Sequence, residues 1–325
     1  MFLTLTKIYL DGSQFIKGQY LLQFKLTILV IIGILISFSM EGYGLSSIIF
    51  STFFQLLNFW FIYQFFKDLK SSTKNDISIR FVKTGLWLGL LSTIMPFGIG
   101  ILSSKGLKGT EIYNSFIYSF MHLQYNGWFL FVALGLFYKL LKNNNILFNK
   151  NRALKFYWLF TVSIIPAIAL SLLGMTFSKH LIIPGSLAAI LQSIGLLFFI
   201  LSISKSINNL KQKNKWLAYY LSVFLLSFFL KVTLQSISVF PAFHQQAFNN
   251  KFILLAYLHL SLIGVISFLF LAVLIEIKWL TISHLSKTAS IFLFFGFIST
   301  ELLLLLGGLE VYHSHLTLID RKSVV

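Results

Sequence analysis

An all-α transmembrane bundle is the fold class this sequence predicts, and three observations predict it. Only 11% of the 325 residues are charged and 57% are hydrophobic, whereas a soluble domain carries about 25% charged residues. The apolar residues fall in long unbroken runs rather than in short alternating strands, which argues for helices over a closed barrel. Lysine and arginine fall in alternate connections between the runs, as the positive-inside rule demands of a multi-span chain.

A span needs roughly 20 apolar residues. Nine runs meet that requirement: 24–40, 47–66, 81–102, 113–141, 154–177, 181–203, 216–239, 252–275 and 289–309. The third is the weakest, because it carries Pro96 and several glycines. Pro96 with Gly98 and Gly100, and Pro166 in span five, are candidate helix breaks. Residues 1–23 read as a cytoplasmic or interfacial segment able to lie along the membrane surface. They are too polar for a cleavable signal peptide, so the first run is expected to be retained. Residues 24–309 form the helical domain and 310–325 an outer-side tail.

Nineteen of the 26 lysines and arginines fall on one side of this scheme and six on the other, with Lys231 left inside a span. The richer side is expected to be cytoplasmic, so the N-terminus is in and the C-terminus out. The net charge of +17 is therefore a topology signal, and no nucleic-acid partner is expected. The implied home is an inner, cytoplasmic membrane of a bacterium, with the lipid bilayer as principal partner. Cysteine is absent, which excludes disulfides, thiolate metal sites and iron–sulfur clusters.

On this topology His122, His180, His244, His259, His313 and His315 lie on or near the outer side, and His284 is cytoplasmic. His122 is nine residues into span four, roughly 13 Å deep at the α-helical rise. His259 is seven residues into span eight, roughly 10 Å deep. Both open the same pattern, HL-x3-G-x3-F, ending on Gly127 and Phe131 in one copy and on Gly264 and Phe268 in the other. His180 opens a partial third copy that reaches Gly185. A glycine below an imidazole leaves room for a flat ligand or for a close helix neighbour. Lys231, Gln235, Glu301 and Gln192 add a polar layer at similar depth, and Lys231 and Glu301 are placed to neutralise each other.

Imidazoles from two helices suit haem iron or copper. The stretches FMHLQYNGWFLF around His122 and YLHLSLIGVISF around His259 resemble the histidine-bearing helices of the haem–copper oxidase superfamily and of the NnrS-like haem–copper membrane proteins. The resemblance covers two helices, with a third at His180. It implies a haem b or copper cofactor on His122 and His259, with His180 and His244 as further ligands and Gly127 and Gly264 lining the cofactor. It also implies a small gas ligand such as oxygen or nitric oxide, or a redox partner. The adjacent histidine pair of a catalytic oxidase subunit is missing, so full respiratory activity is not expected.

Two further readings stand beside it. One is a secondary transporter or channel whose path is lined by Lys231, Glu301, Gln192 and Gln235. The other is a membrane assembly subunit without chemistry. No P-loop, HExxH zinc motif, dinucleotide fingerprint or hydrolase nucleophile elbow occurs in the sequence.

Overall fold

The structure is a computed structural model that describes residues 1–10, 18–42, 44–69, 76–204, 215–241, 243–244, 248 and 250–309. Its described residues are mostly helical, with no strand. Each of the nine apolar runs is mainly helix, and 154–177 is broken by turns at 164–165 and 173–175. Seven helices are long and apolar enough to cross a membrane, or eight if one bent pair counts as a single span. The protein is accordingly an integral membrane protein whose apolar helices face lipid.

Two compact units divide the chain, Met1–Ile79 and Arg80–Val325. In the first, α1 (Phe2–Tyr9) is followed by two long helices, α2 (Gly18–Glu41) and α3 (Leu45–Asp68). The pair α2 and α3 packs closely because Gly33 admits the ring of Phe50, into which any Cβ would collide. Tyr20 donates to Asp68 Oδ2 at 2.9 Å, and Gln64 donates to the same oxygen at 2.8 Å. The segment expected along the membrane surface contributes α1, which buries Leu5 and Tyr9 and stacks Phe2 on Phe61 at 3.9 Å.

The second unit takes in most of α4 (Ile77–Ser92), then α5 (Ile94–Ser104). The break between them falls at Thr93, and Pro96 lies in the first turn of α5, where its missing N–H costs no helical bond. Next comes one continuous helical run from Glu111 to Asn143: α6 (Glu111–His122), a π-helical stretch (Leu123–Phe129) and α7 (Leu130–Asn143). This run covers the stretch expected as span four. It is not among the seven most apolar helices because His122, Gln124 and Asn126 stand in its middle. Helix α8 (Lys150–Ser163) meets Pro166 and turns by 56° into a 3-10 stretch, Pro166–Leu172. A second 3-10 turn, Thr176–Leu181, leads into α9 (Ile182–Ile203). Helix α10 (Lys215–Ile237) and α11 (Lys251–His259) follow; α11 continues as a π-helical stretch (Leu260–Ser267) and α12 (Phe268–Glu276). Helix α13 (His284–Gly308) is last and the most lipid-exposed, with only 11% of its apolar window buried.

The core of this unit is aromatic. Phe81, Phe131, Phe137, Tyr138, Phe156, Phe199, Phe224 and Phe228 are at most 2% exposed. Rings from different helices meet at 5.0–5.7 Å between centroids: Phe156 with Phe199, Phe137 with Phe224 and Phe81 with Tyr138. Lipid offers apolar side chains no hydrophobic gain on leaving it, so close contact among large flat rings is what holds such helices together.

Candidate functional site: a buried lysine in a polar network

The two HL-x3-G-x3-F copies share more than sequence. In each, the π-helical stretch begins at the leucine directly after the histidine. The glycine of each copy falls inside that stretch, and in the first copy it faces Leu88 of α4 while His122 turns to Ile164 on the other side. π-Helical turns are rare and concentrate at functional sites. Here two occur at matching positions, packed against each other.

His122 is 3% exposed. Its Nε2 lies 3.1 Å from the carbonyl of Ile164. A carbonyl only accepts, so Nε2 carries the hydrogen. The bend at Pro166 supplies that carbonyl. In the 3-10 turn the Ile168 N–H bonds to Ile165 O, where an α-helix would have sent it to Ile164. On the other side of the ring, Nδ1 accepts from the Asn126 amide at 3.1 Å and from the Ser171 hydroxyl at 3.4 Å. His122 is held as a neutral imidazole with both nitrogens engaged.

Asn126 passes the network on. Its Oδ1 accepts from Lys231 Nζ. Lys231 is 2% exposed and also donates to Gln235 Oε1 at 3.0 Å and to the Tyr257 hydroxyl at 3.1 Å. Tyr257 donates in turn to Gln235 Oε1 at 2.8 Å. The ammonium has three donors, and three neutral oxygens take them. No carboxylate is among its partners. One polar chain thus joins the Pro166 bend, span four, α10 and α11. On the opposite edge of span four, Gln124 donates to Ser92 Oγ at 2.8 Å and ties in α4.

Some expectations are corrected. Lys231 and Glu301 do not neutralise each other: the lysine is saturated by Asn126, Gln235 and Tyr257, while Glu301 Oε1 is buried without a hydrogen-bond partner. The four-histidine ligand set is not assembled. Among the described residues no three histidine, aspartate or glutamate side chains gather to hold a metal ion. His180 is exposed on the 3-10 turn. His244 and His259 are half-buried, and the Nδ1 of each lacks a partner. His313 and His315, with the whole 310–325 tail, lie outside the described residues.

A haem or copper ion needs a nitrogen lone pair directed at it. His122 as bonded here has none to give, so this ring does not fit an axial ligand. The glycines face protein. A methyl group on Gly127 would stand 3.1 Å from Leu88 Cβ, and one on Gly264 would stand 2.5 Å from Ser227 Oγ and 2.9 Å from Phe297 Cζ. Gln192 is buried in α9.

Asn126, Tyr257 and Ser171 are network members that the sequence reading passed over. Asn126 carried a signal: it stands one α-helical turn after His122 inside an otherwise apolar run, the spacing at which two side chains meet. Tyr257 and Ser171 carried none, since single hydroxyls are ordinary in membrane helices.

Outside the membrane-spanning segments, Glu111 at the start of α6 accepts from the Thr176 N–H at 3.0 Å and from the Thr176 hydroxyl. These bonds hold its carboxyl below the ordinary value of 4.5. They tie span four to the turn that follows the Pro166 bend.

Comparison with protein-family models, with curated proteins and with solved structures finds no match.

Proposed function

We propose that this protein is a membrane transport protein for an anionic solute, with Lys231 as its fixed intramembrane cation. The observation that carries the reading is the lysine's set of partners. Burying an ammonium in a low-dielectric setting costs several kcal/mol even after relaxation (about 2.5–3.5 kcal/mol for lysine at a helix centre on insertion scales). A structural lysine would offset that cost with a carboxylate. Lys231 has an amide, a second amide and a phenol. These satisfy its hydrogen bonds and leave its charge uncompensated, which favours an anion beside it. The surroundings support the same reading: two π-helical stretches and a proline-bent helix meet at this network, and broken helices around a polar centre are how transporters build their sites.

The topology belongs to the proposal as well. Nine crossings, with the N-terminus cytoplasmic, place Lys231 in the outer half of an inner bacterial membrane. Counting the Glu111–Asn143 run and the bent α8 segment as spans brings the seven apolar helices to that number. In proteoliposomes, a panel of small anions (chloride, nitrate, phosphate and short monocarboxylates) should include one that the protein carries. Lys231→Met should abolish that flux. Flux retained in folded Lys231→Met would remove the basis of the reading.

A haem b or copper ion is a second proposal. It is carried by the buried, unpartnered Nδ1 of His259. It predicts a Soret band or bound copper in protein purified from haem- and copper-replete cells, lost in His259→Ala. Colourless, metal-free protein would dismiss it.

A further inference from the structure

Two helix pairs in the second unit pack in the same register. One is α4 with the run Glu111–Asn143, and the other is α10 with the run Lys251–Glu276. In the second helix of each pair the shared motif sets the match: His122 with His259, Gly127 with Gly264 and Phe131 with Phe268. The first helices share no motif, yet they follow the same spacing. A methyl group on Gly127 would meet Leu88 of α4 at 3.1 Å, and one on Gly264 would meet Ser227 of α10 at 2.5 Å. Seven residues before each contact stands the ring that meets the motif's phenylalanine. Phe81 lies 5.7 Å from Phe131 and Tyr220 lies 6.1 Å from Phe268, between centroids. Four residues after each contact stands a buried polar side chain bonded to the second helix of its own pair. Ser92 accepts from Gln124 at 2.8 Å, and Lys231 donates to Tyr257 at 3.1 Å.

Three positions on α4 thus correspond to three on α10 at one constant offset. The likeness of the first helices is hidden in the sequence because bulk has changed sides. Gly89 of α4 receives the Trp128 ring, whereas the residues at the matched positions are Phe228 and Val265. The π-helical stretches pack on each other, and so do the helices that continue them, α7 and α12. The second helices are therefore parallel. That is the arrangement of a parallel repeat, whose axis runs along the membrane normal. The copies also meet in the polar network, where Asn126 of one accepts from Lys231 of the other. Deeper in the core Phe137 and Phe224 touch at 5.3 Å between centroids.

We propose that these pairs are two copies of one unit and are the bodies that tilt against each other, joined where Asn126 meets Lys231. Each copy is closed on itself by a helix seated against a glycine, a ring pair and a buried polar bond, so it moves as one piece. Between the copies, apolar rings tolerate a change of angle, while a buried hydrogen bond is either made or broken. Repeat-built transporters hold their solute at the repeat interface and rock one repeat against the other around it. Lys231 stands at that interface. An anion that reaches it takes a place Asn126 now holds and so releases the joint, a clause that rests on the transport reading; the two copies do not rest on it.

Paired nitroxides test this in the full chain in lipid nanodiscs, since the sequence has no cysteine of its own. Lys142→Cys with Lys278→Cys, and Lys108→Cys with Lys251→Cys, measure distances between the copies. Lys215→Cys with Lys278→Cys measures the second copy alone. All five positions are exposed. Cutting the joint with Lys231→Met, or from the other side with Asn126→Leu, should shift or broaden the between-copy distances beyond their wild-type width. The distance within the second copy should stay in place. Between-copy distances unchanged in the folded variants overturn the proposal, and so does a within-copy distance that changes as much as they do. Either variant decides alone if the other does not fold. A wild type that carries no anion would remove the transport reading and leave these distances as the measure of the two bodies.

Discussion

Asn126 is the residue on which the polar network turns. It donates to the neutral ring of His122 and accepts from Lys231, so it orients one group and cradles the other. Asn126→Leu strands a buried acceptor and a buried donor. Each such loss costs about 1–3 kcal/mol in proteins generally. We expect a destabilisation of that order, measured by unfolding in mixed detergent micelles. Asn126→Asp makes a sharper test of the charge argument. It keeps the shape and gives Lys231 the carboxylate it lacks, so the chain should fold while losing any anion flux. Glu111 gives a pH prediction. Its folded carboxyl is held below the ordinary 4.5, so its tie to Thr176 is fully present above that value. The tie is lost as pH falls below it, through the folded value. The hydrogen-exchange protection of residues 173–181, taken relative to the intrinsic rate at each pH, should fall on acidification in wild type, whereas in Glu111→Gln it should be low already at neutral pH. At this scale the sequence was informative about polar residues and silent about their partners. His122, Lys231, Gln235 and Glu301 stand out in apolar runs. Which of them meet depends on helix rotation, and that is why Lys231 bonds Asn126 and Tyr257 rather than Glu301.

The nine apolar runs were legible at the level of elements, since span length and hydropathy follow from bilayer thickness alone. The repeated histidine motif was legible too. Its meaning lay in backbone geometry that no periodicity displays: in both copies a π-helical stretch opens directly after the histidine. The bend at Pro166 was visible as a proline, but its consequence, the Ile164 carbonyl turned to His122, was not. Packing around the glycines gives a graded prediction. A methyl group at Gly264 meets Ser227 and Phe297 at 2.5–2.9 Å, whereas at Gly127 it meets Leu88 at 3.1 Å. Gly264→Ala should therefore destabilise by about 1–3 kcal/mol, the usual cost of overpacking, and Gly127→Ala by less. Thermal unfolding of the two variants side by side checks the order.

Across the whole molecule, the division of lysines between two faces rests on nine crossings. The chain contains no cysteine, so single introduced cysteines report sidedness without background. Lys108→Cys should react with a membrane-impermeant maleimide added outside intact cells, and Lys142→Cys only after lysis. The reverse pattern would invert the orientation, and equal labelling would mean that Glu111–Asn143 does not cross. The central claim is that the uncompensated charge of Lys231, set among bent and π-helical segments, serves an anion. Its most direct test is electrogenic flux on a solid-supported membrane carrying wild-type or Lys231→Met protein, challenged with the same panel of small anions. The account predicts a current with at least one anion in wild type and none in folded Lys231→Met. An identical current in the two proteins, or none with any anion in wild type, would contradict it.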